Sequence, residues 1–154
     1  MGNRVYVTLI DENKSIVIYQ HWNGGLDSYL PIVKTAFEIN QKNYRKIGIE
    51  EFLAFLNKME FRPEIQESPD AFSWIEENGH YIIDFKNSTM LVKNEQTTLA
   101  INNFRDEFNK YNTKKIKEEY RQQNLENYWF GLQNEATIFF MDLPKNKKSK
   151  RKAS

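Results

Sequence analysis

The sequence predicts an α+β protein: a mostly antiparallel sheet with helices packed on one face, in the order ββααβββα(α)β. Three observations carry this. An alternating N-terminal run is followed, after a short polar loop, by a second β-rich run. An Asn-Gly pair sits between apolar runs in the middle of the chain. Three further stretches repeat their apolar residues at helical spacing.

Asn3 to Ile10 (NRVYVTLI) alternates, with Val5, Val7 and Leu9 on one side and Arg4, Tyr6, Thr8 and Ile10 on the other. Asp11 to Lys14 is a polar loop. Ile16 to Trp22 (IVIYQHW) is rich in β-branched and aromatic residues, so the two runs form a predicted hairpin. If those four residues are the whole loop, Ile10 faces Ser15, Tyr6 faces Tyr19 and Arg4 faces His21. One face then carries Arg4, Tyr6, Tyr19 and His21. The other carries Val5, Val7, Leu9, Ile16 and Ile18, with Trp22 at its end.

Asn23-Gly24-Gly25 breaks the strand. Asp27 or Ser28 is suited to cap a helix whose first turn includes Pro31. Leu30, Val33 and Phe37 recur at helical spacing, flanked by Ile32, Ala36 and Ile39, which predicts a well-buried helix. Residues 40–48 form a polar connection. Ile49 to Met59 is a second helix with Phe52, Phe55, Leu56 and Met59 facing inward and Glu50 and Glu51 at the positive end of its dipole.

Pro63 to Pro69 reads as a loop. Ala71 to Glu77, His80 to Lys86 and Thr89 to Lys93 then read as a central three-stranded meander, turned by Asn78-Gly79 and Asn87-Ser88. Two-residue turns place Phe72, Trp74, Tyr81, Ile83, Phe85, Met90 and Val92 on one face. From Thr97 or Thr98 a long helical stretch carries Phe104, Phe108 and Tyr111, continuing through Ile116, Tyr120, Leu125, Tyr128 and Trp129, with a break near Asn112-Thr113. Gly131 ends it. Ala136 to Met141 (ATIFFM) reads as a last, C-terminal strand. One domain, 1–143, is followed by a tail, 144–154, too polar and basic to pack.

A chain of 154 residues has the length of one domain, and 40% hydrophobic with 28% charged residues suits a soluble globular protein. The absence of cysteine excludes disulfides, thiolate metal sites and cysteine catalysis. No apolar run reaches the ~20 residues of a membrane span, and no basic-then-apolar start marks a signal peptide. A cytoplasmic protein without membrane contact is the expectation. Its charge is uneven. Of the 22 Lys and Arg, six lie in residues 145–152, which leaves 16 against 21 Asp and Glu elsewhere: an acidic body with a basic tail.

Four groups of residues bear on function. The first is His21 with Arg4, Tyr6 and Tyr19, beside Trp22, Asn23, Gly24 and Asp27. Arginine supplies a charged fork, histidine exchanges a proton near neutral pH, aromatic rings stack, and a glycine loop before a helix offers backbone amides to an anion. The same letters also describe strand-end packing and a turn. The second is His80, which after Asn-Gly reads as a solvated turn residue. His21 and His80 lie 59 positions apart, fit no metal-ligand spacing, and nothing else calls for a metal or cofactor. The third is an acidic segment, with Glu60, Glu64, Glu67, Asp70, Glu76, Glu77 and Asp84 against Arg62, suited to a basic partner or to a solvated edge. The fourth is the tail, whose Lys145, Lys147, Lys148, Lys150, Arg151 and Lys152 suit nucleic-acid phosphates without reading bases. No GxSxG elbow is present, and the paired carboxylates at Glu50-Glu51 and Glu118-Glu119 read as exposed helix positions.

Gly2-Asn3-Arg4 with Tyr19, His21, Trp22, Asn23 and Gly24 forms a pattern, GNR…YxHWNG, at the two ends of the predicted hairpin. It resembles the opening of a group of small proteins encoded by phages, plasmids and other mobile elements, over the stretch up to about residue 40. The group has no established activity. The resemblance therefore implies a setting, an accessory protein of a mobile element, and carries over no catalytic residue. The resulting expectation is a non-enzymatic binding protein acting on a host or defence protein. The alternatives are a nucleotide- or anion-binding domain or enzyme centred on His21 and Arg4, and a nucleic-acid binder using the tail.

Overall fold

The computed structural model describes residues 3–12, 14–66, 78–93, 98–101 and 123–144. Its strands are β1 (Val5–Ile10), β2 (Ser15–Gln20), β3 (Glu64–Gln66), β4 (His80–Asp84), β5 (Thr89–Lys93) and β6 (Thr98–Ile101). Its helices are α1 (Leu26–Gln41), α2 (Ile49–Lys58) and α3 (Gln123–Asp142). The class is α+β, with a six-stranded sheet in the order β3-β2-β1-β4-β5-β6 among the described residues.

The hairpin has the register its loop predicts: Tyr6 pairs with Tyr19, Val7 with Ile18 and Ile10 with Ser15. Alternation then sends Val5, Val7, Leu9 and Ile18 inward, each fully buried. The sheet is mostly antiparallel, as expected, with four antiparallel pairings among the described strands and one parallel pairing that the sequence did not predict. β1 pairs in parallel with β4, Val7 beside Tyr81 and Leu9 beside Ile83. This pairing fills the free edge of β1 and extends one apolar face across both strands. It begins at Asn78, whose amide donates to the Arg4 carbonyl, and at Gly79, whose φ of 84° suits glycine. β1 therefore occupies the flank of β4 on which the sequence puts Ala71 to Glu77. That stretch, with Phe72 and Trp74, lies outside the described residues.

An antiparallel meander does exist, one strand further along: β4, β5 and β6. Thr98–Ile101 is a strand where a helix was expected. The β4–β5 turn has four residues rather than two, so Tyr81 meets Val92 and Ile83 meets Met90. That two-residue shift preserves parity, and Tyr81, Ile83, Phe85, Met90 and Val92 still share the buried face. Asp84 shapes the longer turn, its Oδ1 accepting from the amides of Lys86 and Asn87 at 2.9 and 3.1 Å.

α1 starts at Leu26, capped by Gly25, and neither Asp27 nor Ser28 is its N-cap. Pro31 consequently lies in the second turn, not the first, and removes one helix amide. Leu30, Ile32, Val33, Ala36, Phe37 and Ile39 are all buried, as their spacing predicts. α2 buries Phe52, Phe55 and Leu56, with Met59 partly buried. Its free amides find acceptors in Glu51 Oε1, which takes Gly48 N at 2.9 Å, and Asp11 Oδ2, which takes Ile49 N at 3.1 Å. The hairpin loop is thereby tied to α2.

The C-terminal strand is replaced by helix. α3 runs through Gly131 and through Ala136 to Met141 without a break. Among the helix residues whose burial is described, Trp129, Leu132, Ala136 and Phe140 are buried, spaced three, four and four apart. α1 and α2 meet the sheet side of the core through Tyr81 and Phe85, and α3 packs against α1 and α2. Tyr29 contacts Phe52 and Tyr81 with ring centroids 6.1 and 5.3 Å apart, Phe37 and Phe52 contact Phe85, and Phe55 contacts Phe140 at 5.5 Å. No described helix is long and apolar enough to cross a membrane. The expected helical positions Phe104 to Tyr120, the break near Asn112-Thr113 and the tail from Lys145 lie outside the described residues.

Candidate functional site

The outer sheet face collects the polar and aromatic residues that alternation turns away from the core. Glu64, Tyr19, Tyr6, His80 and Lys93 form one row across β3, β2, β1, β4 and β5. The Tyr6 and Tyr19 rings lie 5.2 Å apart and tilted. The chain of rings continues through His21, 6.1 Å from Tyr19, to Trp22, which meets His21 edge-on at 4.7 Å. The Tyr19 hydroxyl and His21 Nδ1 share a hydrogen bond of 2.8 Å. Arg4, Tyr6 and Tyr19 are half-buried, whereas Asn3, His21, Trp22 and Asn23 are exposed.

Trp22 is a correction. It does not end the apolar face but stands 54% exposed. β2 stops at Gln20, and Asn23, with φ of 61°, swings the chain toward α1. Asparagine is one of the few residues that tolerates this left-handed conformation. His80 is a second correction. It lies within β4, half-buried, and its Nε2 shares a 2.8 Å hydrogen bond with the Thr8 hydroxyl on β1. Burial, and then the nearby Lys93 ammonium, hold its imidazole below the ordinary proton affinity of histidine.

The other motif residues build the loop itself. The Asn3 amide donates to the His21 carbonyl at 2.8 Å, and the Gly24 amide to the Asn3 carbonyl at 2.7 Å. Asn78 Nδ2 donates to Asn3 Oδ1 and to the Arg4 carbonyl. Gly24 is required by close approach, since a Cβ there would lie 2.5 Å from the Asn3 oxygen. Its amide is thus committed to the Asn3 carbonyl rather than offered to an anion. Asp27 lies in the first turn of α1. Ser28, considered as a cap, instead pairs its hydroxyl with that of Tyr128 on α3 at 2.8 Å.

Two groups absent from the sequence-based site belong here. Gln20 is fully buried at the loop's base, donating from Nε2 to the carbonyls of Trp22 and Asn23 at 2.7 and 3.0 Å and accepting the Tyr29 hydroxyl on Oε1. Its signal was present, because the hairpin register pairs it with Val5 on the inner side. Tyr81 donates its hydroxyl to the Gly24 carbonyl at 2.7 Å. No local signal marks Tyr81 or His80 as neighbours of the motif, because only the parallel pairing brings them there. Of the acidic segment, Glu60, Glu64 and Asp84 are described, and Asp84 is engaged in its own turn.

Comparison with protein-family models, with curated proteins and with solved structures finds no match to this chain.

Proposed function

We propose that this protein is a non-enzymatic binding protein, an accessory factor of a phage or other mobile element, that engages a host or defence protein through Trp22, His21 and the adjoining aromatic face. The observation that carries the reading is the exposure of Trp22 in an ordered edge-on contact with His21. Tryptophan and tyrosine are enriched at the energetic centres of protein interfaces, and Trp22, Tyr19 and Tyr6 are joined here through His21 in one chain of rings. An exposed indole leaves a large apolar surface in water, which a partner's pocket would remove. The setting in a mobile element rests on the GNR…YxHWNG resemblance.

The test is affinity capture from bacterial lysate with the wild-type protein and with Trp22→Ala and His21→Ala. The expected result is one reproducible protein retained by wild type and lost from Trp22→Ala, with both variants melting at the wild-type temperature. No reproducible partner, or one equally retained by Trp22→Ala, overturns the reading. The nucleotide alternative has its own assay. A nucleotide at 100 times its dissociation constant should add about 2.7 kcal/mol of stability, a clear rise in melting temperature.

A further inference from the structure

Among the described inward-facing residues of β1 and β2, all are apolar but one. Gln20, on the same side as Val5, Val7, Leu9 and Ile18, is fully buried among residues where valine or leucine would bury without a polar cost. Every hydrogen-bonding group of its amide is used. Oε1 takes the Tyr29 hydroxyl, and Nε2 serves the carbonyls of Trp22 and Asn23. The next carbonyl, Gly24, takes the hydroxyl of Tyr81. Tyr29 and Tyr81 are themselves fully buried and in edge contact at 5.3 Å. Three consecutive loop carbonyls are therefore gripped by donors rooted in the core, immediately beyond the end of β2.

We infer that Gln20, Tyr29 and Tyr81 are positioning residues: an internal clamp that presets the Trp22 loop for its partner. This rests on the reading of Trp22 as the anchor. Gripping the carbonyls from inside leaves the side chains of His21, Trp22 and Asn23 outside, all three exposed. It also holds Asn23 in its left-handed conformation. A loop already ordered before association loses less conformational freedom on binding. A polar residue set against the local apolar pattern, with all its partners supplied, is what a functional constraint on a core position looks like.

The experiment is ¹⁵N relaxation on the wild-type protein, Gln20→Leu, Tyr29→Phe and Tyr81→Phe, paired with amide exchange. In wild type the Trp22, Asn23 and Gly24 amides should show order parameters of about 0.85, as for rigid backbone. In Gln20→Leu those of Trp22 and Asn23 should fall below about 0.6, the flexible range, while protected amides in α1 and β4 keep their exchange rates. Tyr29→Phe and Tyr81→Phe remove one hydroxyl each and keep the ring packing, so they serve if Gln20→Leu does not fold. They should loosen residues 22–23 and residue 24 respectively. Unchanged loop order in the folded variants, or a Trp22 amide already mobile in wild type, overturns the clamp. Neither readout involves a partner. A rigid wild-type loop with undiminished capture by Trp22→Ala would reject the anchor and leave the clamp standing.

Discussion

A methyl group added at Gly24 would stand 2.5 Å from the Asn3 carbonyl oxygen and 2.7 Å from Val5 Cγ1. The first obstacle is backbone, which cannot rotate away, and it also accepts the Gly24 amide. Gly24→Ala should cost about 1–3 kcal/mol by overpacking, read as a lower midpoint in urea. The same change at Gly131 should act oppositely. Gly131 lies inside α3, exposed, with nothing within 4 Å of an added Cβ. Alanine there gains helix propensity of about 0.8–1.0 kcal/mol, a rise in melting temperature of about 2–4 °C for a chain of this size. A matched pair of melting curves checks both signs. The contrast separates a glycine that a close contact requires from one that merely sits in a helix.

At the scale of elements, α3 depends on a residue from elsewhere. Its last turn contains no basic side chain of its own. Arg45, in the α1–α2 connection, donates from its two terminal nitrogens to the carbonyls of Leu143 and Met141 at 2.7 and 2.8 Å. A guanidinium there answers both the unpaired carbonyls and the negative end of the dipole. Arg45→Ala should destabilise the protein by about 1.5–3 kcal/mol, and amide exchange should quicken first at the C-terminal end of α3. Arg45→Lys, with one compact donor in place of a fork, should recover only part of the loss. This helix also marks where reading the sequence stops. ATIFFM is too short an apolar run to distinguish strand from helix by periodicity. Only its continuation back through Leu132 and Trp129, across Gly131, makes the spacing of three and four visible. The hairpin was legible because a polar loop sets its register and a half-buried strand alternates. The inward position of Gln20 followed from that register, and so did the meeting of Tyr6 with Tyr19 on the other side. The pairing of β1 with β4 was not legible, because its two strands are joined by nothing local. His80, Asn78 and Tyr81 therefore reached the site unannounced.

That parallel seam joins the two antiparallel halves of the molecule, β3-β2-β1 and β4-β5-β6, and it is the only parallel pairing among the described strands. The hydrogen bond between Thr8 and His80 spans it, linking side chains 72 positions apart. The fold should consequently respond to acid at this point. In the folded protein, burial and Lys93 hold His80 below its ordinary value of 6.5. The unfolded chain presents an ordinary imidazole. Well above pH 6.5 both states are neutral at this residue and it adds no pH dependence. As the pH falls through that value, the unfolded state takes a proton that the folded state refuses, so stability declines. The decline from this group ends once the pH passes the lower folded value. Protonation there also leaves an imidazolium facing Lys93 across β4 and β5, which pair at His80 and Lys93. His80→Gln keeps a polar side chain beside Thr8 and cannot titrate. Urea unfolding of both proteins from pH 8 to pH 5 should give curves whose stability difference is constant at the alkaline end. Below the ordinary histidine value the wild type should lose ground to the variant. Parallel curves over the whole range would show that the seam does not sense protons through His80. A wild type that gained stability on acidification relative to the variant would reverse the sign and place the imidazole near a carboxylate instead.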